Sequence, residues 1–462
     1  MAIAAQHYHA LPYHPESTLL FNKIQHLPYA VFLDSCHPFS AYGRYDILTA
    51  MPFQLIKTEG AITTLFYKDK KEIITTDPFL LIKQQMANYK AVSAPVALPF
   101  HGGAIGLFGY DLMHYLEKVT PDTSRRQDDM NLPELIVGLY DWAIVVDHLQ
   151  KQSHLIHAGF SPTAIDEWQQ IQYCLASPQT TENLHFKVIS PVTSNFDSLR
   201  YTAAFEQIQA HIKAGDCYQI NLAQRFQTSI TGSAYALYQQ LRQKNAAPFA
   251  AYLNFPEATI LSLSPERFIK VEDKHVSTKP IKGTKPRGLT PQEDKALAAS
   301  LVNSLKDRAE NLMIVDLLRN DLGKNCTVGS IAVPELFALE SFSAVHHLVS
   351  TITGELAPPQ GALDVLRGAF PGGSITGAPK IRAMQIIEQL EPHRRHAYCG
   401  AIGYIDYNGN MDTNITIRTL ICQQQQVYFW AGGGIVADSV CASEYQETLD
   451  KVAKIIECLS YT

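Results

Sequence analysis

The sequence predicts a mixed α/β chain built largely from antiparallel hairpins. Short apolar runs bounded by glycine and proline read as strands along most of its length. An Asn-Gly pair inside YNGN (407–410) supplies a tight hairpin turn. Helical patterns fall between the strands without the regular strand–helix alternation of a parallel sheet.

The elements follow in order. Before residue 177 the runs FQLIKT (53–58), AITTLFYK (61–68) and SHLIHAGF (153–160) read as strands. The most apolar stretch, ELIVGLYDWAIVVDHL (134–149), contains Gly138 and is interrupted by Asp141, so it reads as a buried strand and not as a membrane span. A polar segment near 177–198, broken by Pro178 and Pro191, is the candidate boundary between an N-terminal region, 1–180, and a second region, 199–458. The second region opens on a helical pattern with Phe205, Ile208 and Ile212 on one face and Gly215 as its stop. Strand-like 218–228, a helix over 234–245 and strands at 250–255, 259–264 and 267–273 come next. A long helix is expected over 291–319, and another near 379–390 with Pro379 in its first turn. Residues 398–431 read as a three-strand meander in which Arg418 points from a strand, and a last helix covers about 443–459.

Of 462 residues, 46% are hydrophobic, which excludes a disordered chain. Lys plus Arg number 38 against 44 Asp plus Glu, a net charge of −6 that does not suit sequence-independent binding to nucleic acid. No two of the eight cysteines form a CxxC pair, which fits reduced thiols in the cytoplasm. The N-terminus has no basic stretch followed by an apolar core, so no secretory signal is expected.

Three constellations carry chemistry. Glu444, Glu447 and Lys451 share one helical face, and Asp307 and Glu310 share another; two such faces could hold a hard divalent cation, or they could be ordinary solvated ion pairs. PGGSITGAPK (371–380) and AGGGIV (431–436) are glycine-rich segments, each placed between a strand-like run and a helix. They let backbone N–H groups approach an anion, or simply make tight turns. The first is not a phosphate loop, because Ala378 stands where such a loop has lysine. STKPIKGTKPRG (277–288) gathers Lys279, Lys282, Lys285 and Arg287; it is a cationic patch, or it encloses a lysine that its neighbours push towards the nucleophilic free amine. Glu266, just before it, is a general acid if buried and otherwise an ion-pair partner of Arg267. His347, Tyr398 and Arg418 are weaker candidates, the last as a carboxylate clamp.

Taken together, CYQINLAQRF, SPERF, PIKGTKPRG, AENLMIVDLLRNDLG, VHHLVS, PGGSITGAPKIRAM, YCGAIGY, NITIRTL, AGGGIVADS and EYQETLDK resemble, in order, the chorismate-utilising enzymes. That family includes the large subunits of anthranilate and aminodeoxychorismate synthases and the isochorismate and salicylate synthases. FLDS (32–35), GRYDIL (43–48) and HGGAIGLFGYD (101–111) extend the likeness into the N-terminal half. The resemblance implies two facing, largely antiparallel sheets with outer helices, the two regions interlocked in one unit. It implies that Glu310 and Glu447 ligate Mg²⁺, with Asp307 (often Glu in relatives) and Glu444 reaching it through water. Gly377, Ala378 and Pro379 would seat the ring carboxylate of chorismate. Tyr398, Arg418, Gly433 and Gly434 would hold the enolpyruvyl carboxylate with Lys451 adjacent, and Ser374 and His347 would line the ring. Glu266 would protonate the leaving 4-hydroxyl.

Gln219 stands where water-adding members carry a lysine base, and PIKGT stands where anthranilate synthases read PIAGT. Lys282 thus marks the aminodeoxychorismate branch, attacking C2 before ammonia enters at C4. The sequence has no GxCxG nucleophile turn and no added lyase domain, so ammonia is expected from a separate glutamine amidotransferase subunit. Ser35 and Pro248 match parts of a pocket in which relatives hold tryptophan. The competing readings are an anthranilate synthase large subunit, a non-catalytic protein that binds chorismate or scaffolds the amidotransferase, and a cation-dependent phosphate-binding protein.

Overall fold

The computed structural model describes residues 7–40, 43–67, 70–89, 96–117, 119, 127–178, 184–342 and 345–461. Part of the candidate boundary, 179–183, and the first six residues lie outside these. Among the described residues, the strands form a 13-stranded and a 12-stranded sheet whose ladders are antiparallel. Both sheets mix strands from the two ends of the chain. In the first, Ala30–Asp34 pairs with Phe249–Asn254; in the second, Gly103–Phe108 pairs with Ala401–Asp406.

Side-chain alternation explains why the sheets face each other. Val31, Ile47, Val145 and Ile260 of the first sheet join Ile56, Ile105, Val137 and Ile402 of the second in the largest apolar cluster. Their sequence neighbours Phe32, Leu48, Ile144 and Leu261 point the other way. The helices Ala234–Lys244 and Cys441–Cys458 cover them through Tyr235, Leu237, Leu241, Val452 and Ile455. The helix Leu305–Gly323 packs instead on Ile281–Pro286 and Val345–Glu355 of the second sheet.

Several expected elements divide where the chain changes sheet. The 134–149 stretch is not one strand: Leu135–Tyr140 belongs to the second sheet and Trp142–Asp147 to the first, with Asp141 at the crossing. The expected meander is two hairpins: Ala401–Asp406 with Met411–Ile415 in the second sheet, and Thr419–Gln423 with Gln426–Ile435 in the first. Arg418 therefore sits at a crossing, with φ +51°, and not on a strand.

The long helix is two, Pro291–Val302 and Leu305–Gly323, because Ser304 accepts a hydrogen bond from Asp307 N at 3.2 Å and caps the second. Pro379 is the residue before the helix Lys380–Leu390. The first glycine-rich segment joins two helices, Ala362–Ala369 and Lys380–Leu390, and the second lies inside the strand Gln426–Ile435. The helix Ser198–Lys213 ends as expected, with Gly215 at φ +80°. Among the described residues no helix is long and apolar enough to cross a membrane, and all eight cysteines are free.

Candidate active site

Two chain crossings, hydrogen-bonded to each other, place the first pair of site residues. The chain leaves Thr259–Ser264 of the first sheet and enters Arg267–Glu272 of the second through Pro265 and Glu266. It returns from Met411–Ile415 to Thr419–Gln423 through 416–418. Ser264 Oγ donates to Ile415 O at 2.6 Å, Ile415 N to Glu266 O at 3.0 Å and Leu263 N to Arg418 O at 3.1 Å. Arg267 turns away and clamps Asp412 with two bonds of 2.9 Å, so it is not the partner of Glu266. Glu266 is buried and accepts from Ser374 Oγ at 3.0 Å. Burial lifts its carboxyl above the ordinary range; the Lys282 charge and the Ser374 hydroxyl offset this only in part.

Lys282 lies on the strand Ile281–Pro286 at a register shift opposite Val345–Glu355, where Gly283 adopts φ +82°. Such a bulge re-aims a side chain out of the regular ladder. Its Nζ donates to Ser374 O at 3.1 Å and pairs with Glu310 Oε1 at 3.3 Å. Ser374 thus meets Lys282 with its carbonyl and Glu266 with its hydroxyl. Gln219 Nε2 also donates to Glu310 Oε1, at 3.2 Å, while its own Oε1 is buried with no hydrogen-bond partner.

The opposite wall comes from the first sheet and the helix that covers it. Lys451 Nζ pairs with Glu447 Oε1 at 2.6 Å and donates to Gly432 O at 2.9 Å. Glu444 accepts from Ser439 Oγ at 2.7 Å and lies 3.9 Å from Lys306 Nζ. A Cβ at Gly433 would stand 3.3 Å from Glu444 Oε2 and 3.7 Å from Glu447 Oε1. One at Gly434 would stand 3.3 Å from Glu310 Oε1 and collide with Gln219 Nε2. Carboxylates from two helices on different sheets therefore face one glycine pair. Burial and the charge of Glu447 raise the Glu444 carboxyl. At Glu447 burial acts the same way, but Lys451, Lys282 and Lys306 outweigh it and the net shift is downward. Asp307 is half-buried and lies against Gly283.

No three of Asp307, Glu310, Glu444 and Glu447 bring carboxylate oxygens within 4.8 Å of one another. Among the described residues, the groups that do so are Asp111–His114–Glu388 and Asp141–His157–Glu167, on other elements.

The remaining candidates lie on neighbouring elements. His347, on Val345–Glu355, bonds Thr284 Oγ1 through Nδ1 at 2.8 Å. Burial first, then the charges of Arg418 and His346, push its pKa down to about 4. Arg418 is partly buried and, among the described residues, its guanidinium has no hydrogen-bond or ion-pair partner. Tyr398 is buried and stacks on Trp430 at 6.1 Å between ring centres. Gly377, at φ +149°, pairs with Ile220; a Cβ there would collide with Gln219 O. Tyr218 N donates to Ala378 O at 2.7 Å, which fixes the backbone before Pro379.

Ser35 and Pro248 stand apart from this cluster, on the wall of a cavity of about 490 Å³ lined by residues of both sheets, Arg44, Arg267 and Tyr404 among them. Sequence reasoning does not single out Thr284, Lys306 or Trp430. Lys306, four residues before Glu310 on one helix, had an available signal in that spacing; Trp430 had none.

The model of the chorismate binding enzyme family matches residues 44–457. Aminodeoxychorismate synthase component 1 of Salmonella typhimurium is 48% identical over 451 residues, covering 97% of each chain. The protein of the same name from Escherichia coli is 48% identical over 442 residues, covering 95% of each. Anthranilate synthase component I from Streptococcus pneumoniae, a solved structure, aligns with a TM-score of 0.80 at 32% identity, over 90% of this chain and 93% of that one.

Proposed function

The chain belongs to the chorismate binding enzyme family, and from that premise we infer that it aminates chorismate, replacing the 4-hydroxyl by an amino group on the route to 4-aminobenzoate and folate. The observation that carries this reading is the bridge through Ser374, which ties a lysine amine and a buried carboxylic acid to one residue.

Lys282, as the free amine, forms a bond to C2 of chorismate. The conjugated double bonds shift and the 4-hydroxyl departs as water with a proton from Glu266, whose carboxyl burial lifts above its ordinary range. Ammonia then bonds to C4, the double bonds shift back, and Lys282 leaves C2 as an amine. Tyr398, Arg418 and the backbone of Gly433 and Gly434 hold the enolpyruvyl carboxylate, with Lys451 beside them. The unpartnered guanidinium of Arg418 supports this assignment. Gly377, Ala378 and Pro379 seat the ring carboxylate, and Ser374 and His347 border the ring.

The carboxylate oxygens of Glu310, Glu444 and Glu447 that face Gly433 and Gly434 suit Mg²⁺, a cation that takes one or two carboxylates and keeps several waters. Glu310 and Glu447 would hold it, with Asp307 and Glu444 reached through water; when bound it supplies positive charge against the ring carboxylate.

The relatives are named component 1, which implies a second component. We assign to that partner the supply of ammonia from glutamine. The 490 Å³ cavity at Ser35 and Pro248 is assigned to tryptophan, its apolar walls and flanking charges suiting an aromatic amino acid. Eight free thiols favour the cytoplasm.

Mass spectrometry of products from chorismate, Mg²⁺ and ammonium tests the reading. The expected product is 4-amino-4-deoxychorismate; anthranilate or isochorismate in its place would refute it. Lys282→Ala should lower turnover by about 10³-fold or more while chorismate affinity changes by less than about threefold. Unchanged turnover in that variant removes the nucleophile.

A further inference from the structure

We propose that the buried ion pair Lys380–Asp321 is a positioning device for the reaction: it closes the base of the 370–379 loop and so sets Ser374 against both Lys282 and Glu266. The inference rests on the functional reading above and adds two residues to it.

Lys380 Nζ lies 2.6 Å from Asp321 Oδ2, with side chains 8% and 1% exposed. The same ammonium donates to Ala369 O at 2.8 Å. Ala369 ends the helix before the loop and Lys380 begins the helix after it, so one cation ties both ends of the loop to one carboxylate. Lys324 repeats the pattern, 3.3 Å from Asp321 Oδ1 and donating to Gly368 O at 2.9 Å. Both lysines satisfy carbonyls at a helix C-terminus, where cations are favoured.

The loop rests directly on the helix that carries Asp321. A Cβ on Gly373 would run into Leu317 and stand 3.7 Å from Asp321 Oδ2. Asp321 and Glu310 are eleven residues apart on the helix Leu305–Gly323, close to three full turns, and therefore share a face. That helix acts as a ruler: Asp321 fixes the loop at one end and Glu310 meets Lys282 at the other. The middle of the loop has its own tether, Arg395 donating to Ile375 O at 3.1 Å, so the ion pair governs the base and the reach of Ser374. Neither residue touches the catalytic groups, and an enclosed pair costs desolvation that a purely apolar contact avoids.

The test compares kcat and KM for chorismate, with Mg²⁺ and ammonium, in four proteins: wild type, Lys380→Met/Asp321→Leu, Ser374→Ala and the triple variant. The double variant leaves no unpaired buried charge. If it does not fold, Asp321→Asn, which keeps the shape and removes the charge, carries the same expectation. If the pair works through Ser374, the double variant loses about 10²-fold in kcat with KM changed by less than about threefold. The triple variant then loses less than the product of its parents' separate losses, because Ser374→Ala removes the hydroxyl at Glu266 and leaves the carbonyl at Lys282. Fold-losses that multiply, a KM that rises in step with the loss, or a wild-type kcat in the double variant would each overturn the proposal. Amide exchange over 371–378, read without turnover, separates this from the functional reading. It should quicken in the double variant whatever the enzyme makes, and unchanged exchange also overturns the positioning role.

Discussion

Replacing His347 by asparagine should flatten the fall in stability that acid imposes on this protein. The ring is 5% exposed and lies beside Arg418 and His346, and its pKa stands at about 4 against an ordinary 6.5. Between those values the unfolded chain binds a proton that the folded chain refuses. Stability therefore falls as pH falls, beginning near the unfolded value and ending near the folded one. Each unit corresponds to about 1.4 kcal/mol, so the difference of 2.5 units limits the loss to about 3 kcal/mol. At pH 5.5 the fold has lost about 1 kcal/mol from this side chain, and at pH 4.5 about 2–3 kcal/mol. Against a total stability of about 5–15 kcal/mol that is a large share. Asparagine keeps a hydrogen-bonding group for Thr284 and cannot titrate. Urea unfolding at pH 7, 5.5 and 4.5 reads the effect as the widening gap between the wild-type and variant curves at equal m-value. Parallel curves would mean that His347 takes up its proton as readily in the fold as in the unfolded chain, and the buried, cation-flanked description of the site would be wrong.

Arg418→Met should weaken chorismate binding by about 1.5–3 kcal/mol, a 10- to 150-fold rise in KM, because a charged hydrogen-bond donor is lost. The same change should raise the melting midpoint of the ligand-free protein, since a partly buried guanidinium without a partner is replaced by an apolar chain. A lowered midpoint would show that the guanidinium is already satisfied. Glu266→Gln should reduce kcat by about 10²–10⁴-fold and also raise the midpoint above neutral pH. The folded carboxyl is raised, so its charged form is the penalised one, and wild-type stability declines as pH rises from the ordinary glutamate value through the folded one. Calorimetry in which the two proteins melt together at alkaline pH would remove burial as the cause of the shift.

What the sequence made legible was local. The Asn-Gly turn and the amphipathic helix ending at Gly215 depend on neighbours within a few residues, and each appears in the structure. Sheet membership was not legible, because it depends on pairing over hundreds of residues. The fully buried strands Leu135–Tyr140 and Trp142–Asp147 show no alternation that would assign them to different sheets. The break at 303–304 did have a signal, Ser304 three residues before Asp307, which the continuous helical pattern around it masked. Among the site residues, Glu444, Glu447 and Lys451 follow from helical spacing and do share a face. The meeting of Lys282 with Ser374, or of Lys380 with Asp321, brings together segments 92 and 59 residues apart, and no local pattern encodes it.

The interleaving of strands has a consequence for biosynthesis. Phe108 pairs with Ala401, a partner 293 residues further along. At about 5–20 residues per second, the ribosome needs about 15–60 s to deliver it. Until then the apolar strand Gly103–Phe108 holds Leu135–Tyr140 on one side and presents an open edge on the other. A nascent chain of this kind presents that apolar edge to its neighbours on a polysome for most of its translation.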